Sequence, residues 1–222
     1  MSDSHQTGIR ALILDYGEVL CHRPAPDQLH QMAHLAGWDE ETLMERYFRE
    51  RGLYDRGDLA PIDYWSRVVA ESVDLSNGAL ASLQKLDVEM WSNLNPDMIG
   101  WLGDARAAGL KTAVLSNMPA DMACHARKSF NWLKGLDCVV LSCEVGRIKP
   151  EPEIYQRCVE GLDLPAEAAL FIDDRAANVE GARRAGLQSL RFQTLEGLRN
   201  DLRELGFPIL PKVNARAIPG RL

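Results

Sequence analysis

From Pro96 onward the chain alternates between two patterns: helix 97–108, strand 112–116, helix 120–130, strand 138–142, helix 151–161, strand 169–173, helix 176–185 and strand 189–192. This alternation predicts a parallel sheet, because strands that run the same way need a crossover between them, usually a helix. One more strand-like run, Ala11-Leu12-Ile13-Leu14, stands far upstream. Gly109 and Gly186 fall between a helix and the next strand, where a left-handed helix end favours glycine. Between the first strand and Asn95-Pro96 there is no strand-like run, only four helical stretches near 27–36, 39–51, 61–74 and 78–92. Several of these are opened by Asp or Ser in capping positions. The expected fold is therefore α/β, with a parallel-sheet core built from residues 1–21 and 95–222 and a four-helix cap inserted at 22–94. The tail after Gly206, with Pro208, Pro211 and Pro219, is too proline-rich for a regular element and is expected to lie over the core or to be loose.

Two of the predicted strands end on acids. Asp15 closes the first, and Asp173-Asp174 close Leu170-Phe171-Ile172. In an open parallel sheet, ligands gather outside the carboxyl ends of the strands, so these acids should meet in one crevice. Crowded carboxylates repel one another, and a divalent cation with an oxygen-rich shell relieves that repulsion. The pattern points to a metal-assisted site.

Composition narrows the function class. The 222 residues, 46% hydrophobic, suffice for one sizeable core and a small accessory domain. A formal net charge of -7 argues against nucleic acid as the partner, and the apolar runs are too short to span a bilayer. Residues 1–10 are polar and lack the apolar stretch of a secretory signal, so a cytoplasmic location is expected. The five cysteines are odd in number and contain no C-x-x-C pair, which speaks against a disulfide framework or a zinc site. In the cap, His22, Arg23, Arg46, Tyr47, Arg51, Tyr54 and Arg56 read as a solvated helix face, and the five tryptophans as core or interface anchors.

Four segments line up at successive strand ends: Asp15-Tyr16-Gly17-Glu18-Val19-Leu20, Leu115-Ser116-Asn117, Lys149-Pro150 and Phe171-Ile172-Asp173-Asp174. In this order they resemble the signature of the haloacid dehalogenase-like hydrolase superfamily: a nucleophilic aspartate, a Ser/Thr, a lysine and a terminal acidic pair. Residues 146–155 and 171–182 are similar to the sugar-phosphate phosphatase branch, which includes α-glucose-1-phosphate phosphatases. The resemblance implies a Rossmann-like core and a Mg²⁺-dependent phosphatase acting on a small phosphate ester. Asp15 would be the nucleophile of an aspartyl-phosphate intermediate. Ser116 and Asn117 would donate hydrogen bonds to the phosphoryl oxygens. Lys149 would neutralise phosphate and hold the Asp15 carboxylate. Asp15, Asp174, the backbone carbonyl of Gly17 and Asp173, the last as a ligand or as an acceptor behind one, would hold the metal.

One position departs from the family pattern. Most phosphatases of the superfamily carry Asp-x-Asp, whose second aspartate protonates the leaving oxygen, a function often worth about two to four powers of ten in rate. This chain has Asp15-Tyr16-Gly17. Glu18 is adjacent, but a displacement of one residue generally turns a side chain elsewhere. Sugar 1-phosphates have a leaving group of lower pKa than a simple alcohol, which lessens the need for an acid. Two alternatives follow from the same departure: a phosphometabolite-binding relative without catalysis, and a 2-haloacid dehalogenase, since halide leaves without a proton. The dehalogenase branch typically has Asp-Ala-Tyr-Gly-Thr, with Tyr and Gly one position later than here.

Overall fold

The structure, a computed structural model, describes residues 8–76 and 78–206. The elements run in the order β1 (Ala11–Leu14), α1 (Pro26–Ala36), α2 (Glu40–Arg49), α3 (Arg51–Arg56), α4 (Pro61–Val69), α5 (Ala79–Met90), α6 (Pro96–Ala107), β2 (Lys111–Ser116) and α7 (Ala120–Ser129). They continue with β3 (Cys138–Leu141), α8 (Ser142–Val145), α9 (Pro152–Leu162), β4 (Ala169–Asp173), α10 (Ala176–Arg184), β5 (Gln188–Arg191) and α11 (Leu195–Glu204). The five strands form one sheet in the order β3-β2-β1-β4-β5, and every pairing is parallel. The fold is α/β and Rossmann-like, as the alternation predicts.

The sheet separates two apolar cores, and β1 shows how. Its successive side chains point to opposite faces, so Leu12 and Leu14 join one cluster with Trp101 and Met122, while Ala11 and Ile13 join the other with Tyr155 and Phe171. All four residues of β1 are buried, the pattern of a strand covered on both sides. Helices α1 to α5 pack around a third cluster of their own, in which Tyr47, Tyr64, Trp65 and Met90 are 2% exposed or less. Burial of each such side chain contributes roughly 1.5–3 kcal/mol before entropy is counted. The two connections between this helical insert and the sheet lie side by side. Cys21 bridges Leu94, His22 N donates to Asn93 O at 2.7 Å, and Asn95 N donates to Leu20 O at 2.9 Å.

Several details differ from the expectation. The insert holds five helices among the described residues, because the chain makes a fresh turn at Arg51–Arg56 instead of extending α2 through Arg51. Helix α4 stops at Val69, where Ala70 adopts a positive φ of 51°. Of the insert's helices, α2 alone has a side-chain cap, Asp39 accepting from Thr42 N at 2.8 Å, while α1 and α4 begin on Pro26 and Pro61. Proline suits the first helical turn, where its missing N–H has no partner to lose. Gly109 and Gly186 both have φ of 89°, the left-handed ends predicted for them. Helix α11 carries Leu198 and Leu202 onto the sheet's first cluster and has no counterpart in the expectation. The proline-rich tail lies outside the described residues. Among the described residues no helix is long and apolar enough to cross a membrane.

Candidate active site

The order of the sheet decides what meets. β1 lies between β2 and β4, with Leu14 paired to Val114 on one side and to Ile172 on the other. Asp15 follows β1 directly, and its amide donates to Ile172 O at 2.9 Å, which fixes where its side chain starts. Ser116 ends β2 and Asp173 ends β4, so three neighbouring strands deliver their last polar residues to one edge. Crossovers run from β1 one way and toward β4 the other, and that divergence leaves a crevice at the carboxyl ends.

Lys149 enters this crevice from the loop between α8 and α9, across a cis Lys149–Pro150 peptide. Its ammonium is 2.6 Å from Asp15 Oδ1 and 2.8 Å from Asp173 Oδ2, with all three side chains nearly or wholly buried. The lysine backbone is clamped by Asn117, whose Oδ1 accepts from Lys149 N at 2.7 Å and whose Nδ2 donates to Lys149 O at 3.0 Å. The Asn117 side chain is therefore engaged with Lys149, and only its backbone N–H is left to serve a ligand. Asp173 is likewise filled. It accepts from Lys149 Nζ, from Arg175 N at 2.8 Å and from Asn178 Nδ2 at 3.0 and 3.1 Å. Asp15 accepts both of its close donors, Lys149 Nζ and Tyr16 N at 2.6 Å, on Oδ1. Among the described residues Oδ2 has no hydrogen-bond donor.

Carboxylate oxygens of Asp15, Asp173 and Asp174 lie within 4.8 Å of one another. One ammonium faces three acids, and the imbalance shows in the titration. Burial pushes Asp15 up to about 7 against the pull of Lys149, with Asp173 and Asp174 adding to the push. Asp174, half-buried, is raised to about 6 by burial and then by the charges of Asp173 and Glu18. Burial pulls the Lys149 ammonium down, but Asp15 and Asp173 outweigh it and hold the group above the ordinary lysine value. An all-oxygen donor set with negative charge left over fits a hard divalent cation. Asp15 and Asp174 are its best-placed ligands, because Asp173 already satisfies the lysine and two N–H donors.

Asp15, Asp174, Ser116 and Lys149 form the floor of a cavity of about 460 Å³. Gly17 and Glu18 also line it. Glu18 is held at a φ of 55°, unusual for a residue with a side chain, and its carboxylate pairs with the guanidinium of Arg23. Cap residues complete the roof, and the solvated-face reading holds for His22 and Arg23 but fails for Tyr47, Arg51 and Tyr54. Tyr47 and Tyr54 are 2% exposed, and the Arg51 side chain is 12% exposed, bound to Asp55 at 2.8 Å and to Asp87 at 3.1 Å. Sequence reasoning missed Phe48, Asp55, Arg175 and Asn178 as lining residues, and assigned Trp91 to packing alone. Nothing in local pattern marks them, since their places depend on contacts across the fold.

Residues 5–186 match the family of haloacid dehalogenase-like hydrolases. Phosphatase MT3486 of Mycobacterium tuberculosis is 34% identical over 154 residues, 67% of this chain and 71% of that protein. (S)-2-haloacid dehalogenase 1 of a Pseudomonas species is 28% identical over 200 residues, 84% of this chain and 86% of that protein. A haloacid dehalogenase family enzyme of Bacteroides thetaiotaomicron, crystallised with magnesium and inorganic phosphate, shares the fold with a TM-score of 0.69 and 18% identity, covering 86% of this chain and 98% of that one.

Proposed function

This chain belongs to the haloacid dehalogenase-like hydrolases, and from that premise we propose that it is a Mg²⁺-dependent phosphatase cleaving a small phosphate monoester through an aspartyl phosphate on Asp15. The observation that carries the reading is the Asp15–Lys149 pair at 2.6 Å, set beside the half-buried Asp174 on the floor of the cavity. Lys149 and the Tyr16 amide hold Oδ1, so Oδ2 is the oxygen that attacks. A bond forms between Oδ2 and phosphorus, the ester P–O bond breaks, and its electron pair leaves with the alcohol oxygen. Water then attacks the acyl phosphate, releasing inorganic phosphate and restoring the carboxylate. Ser116 Oγ and the Asn117 backbone N–H would donate to the phosphoryl oxygens, where charge builds in the transition state. Asn117 positions Lys149 through its side chain, and Asp173 does so through the ion pair. When bound by Asp15, Asp174 and the Gly17 carbonyl, Mg²⁺ would offset phosphate charge and orient the ester. Helices α1 to α5 would act as a cap that excludes water from the cavity.

Within this class the motif resemblance taken alone points to sugar 1-phosphates, one of several kinds of ester whose leaving oxygen needs little help from an acid. The test is inorganic phosphate release from a panel of phosphate esters with Mg²⁺ or EDTA, and with Asp15→Asn as control. Release that needs Mg²⁺ and vanishes in the variant is expected, whereas turnover retained by Asp15→Asn would overturn the mechanism. The dehalogenase-named relative, which aligns with 84% of the chain, keeps a second reading in view: displacement of halide from a 2-haloacid by Asp15. That reading predicts halide release indifferent to EDTA.

A further inference from the structure

The roof of the cavity is unlike its floor. Phe48, Trp91, Met118, Met122 and Ile148 face the space beside Asp15. Phe48 is 48% exposed, a large apolar side chain left open at the cavity while its neighbour Tyr47 is buried. Several of the polar atoms nearby are already bonded within the protein. Trp91 Nε1 donates to the Tyr47 hydroxyl at 2.9 Å, and that hydroxyl donates in turn to Asp87. The Tyr16 hydroxyl donates to Trp91 O. Arg51 Nε is taken by Asp55 and Nη1 by Asp87, two carboxylates for one guanidinium, while Nη2 has no acceptor among the described residues. On the opposite rim stands Arg175, whose side chain has no ion-pair or hydrogen-bond partner among the described residues. Against the wall formed by Phe48, Trp91, Met118, Met122 and Ile148, a hydroxyl-rich group would give up its bonds to water and find few in exchange, whereas an apolar ring gives up none.

Gly17 points to the same conclusion independently. A Cβ added there would lie 3.9 Å from Trp91 Cζ3, so the direction in which a side chain at this position would project leads to the indole edge. A ring resting on Trp91 would stand where that side chain is missing.

Building on the phosphatase reading, we propose that the substrate is a phosphate ester of an aromatic, phenol-type leaving group, seated between Trp91 and Phe48. The P–O bond breaks with its electron pair going to a phenolate, which is stable enough to depart unprotonated and takes its proton from water afterwards. Both oddities of the site then have one cause: the acid is absent because the leaving group does not need it, and an aromatic wall replaces it.

Binding separates this proposal from leaving-group reactivity and from turnover. Calorimetric titration of the protein in Mg²⁺ with phenylphosphonate and with methylphosphonate compares a ring with a methyl group on the same anion. Phenylphosphonate is expected to bind about 10-fold tighter, the order of one well-placed aromatic contact. Phe48→Ala should lose most of that difference and Phe48→Trp should keep it. Equal affinities, or a preference untouched by Phe48→Ala, would overturn the proposal. In parallel, kcat/KM for 1-naphthyl phosphate should exceed that for glucose 1-phosphate, and the reverse order would overturn the proposal while leaving the phosphatase reading intact. Tight phenylphosphonate binding with no release from any ester would sink the phosphatase reading and not the aromatic pocket.

Discussion

Two buried charge clusters face each other across the cavity. On the floor, Lys149 sits between Asp15 and Asp173 with Asp174 close by; in the cap, Arg51 sits between Asp55 and Asp87. Each has more acid than base, yet they are finished differently. The cap cluster is closed by hydrogen bonds, since Arg51 donates to both carboxylates and to the Tyr47 hydroxyl, which itself donates to Asp87 and accepts from Trp91. The floor cluster leaves Asp15 Oδ2 and Asp174 without donors among the described residues, and burial raises both acids, as it also raises Asp55 in the cap. A buried charge group that is fully bonded holds a structure together, whereas one left short of positive charge is prepared to take a cation or a substrate.

Substitutions can break the comparison from either side. The largest effect is expected on the floor: Asp15→Asn should cut phosphate release by about 10⁴-fold or more, with an unchanged circular dichroism spectrum, because it removes the attacking oxygen and leaves Lys149 paired with Asp173. The cap should answer in stability. Arg51→Met strands two carboxylates around Tyr47 and should cost about 3–5 kcal/mol in urea unfolding. Asp173→Asn should lower kcat by about 10- to 100-fold with the fold intact, since it loosens Lys149 and removes no reacting atom.

The raised Asp15 gives a subtler distinction. Its folded value of about 7 lies above the ordinary 3.8, so burial disfavours the carboxylate, and the metal-free protein loses stability as pH climbs from about 4 to 7. The neutral amide of Asp15→Asn escapes that loss. In EDTA the variant should therefore be more stable than the parent by about 1–3 kcal/mol at pH 7, and the gap should close below about pH 4. Denaturant titration at the two pH values checks this. Smallest of all, Tyr54→Phe removes a 2.9 Å hydrogen bond from cap to Asp121 on α7, and should cost about 0.5–1.5 kcal/mol with a modest rise in KM.

The sheet and its acids were legible because each is signalled locally: an apolar run of strand length, a polar residue at its end, glycine at a left-handed boundary. The roles inside the site were less so. Asn117 follows a strand and reads as a ligand or a turn, but its amide clamps the backbone of Lys149, 32 residues away in sequence. Asn178 lies within α10 with no local mark of a role, yet its Nδ2 bonds both oxygens of Asp173. Arg51 looks like surface charge until α3 turns it toward Asp87 on α5. Helix α11 left a faint trace in Leu195, Leu198 and Leu202, spaced three and four apart, amid otherwise polar residues and a glycine. Pairings between distant elements, which set these places, leave no period in a sequence.

The central position of β1 also sets a timescale. Its amides and that of Asp15 are bonded to strands on both sides, so in hydrogen–deuterium exchange they should open only with the whole molecule, while helices α1 to α5 exchange through smaller, more frequent openings. Asp15 thus belongs to the part of the protein that lets go last, and the roof above it can loosen many times over before the floor is disturbed.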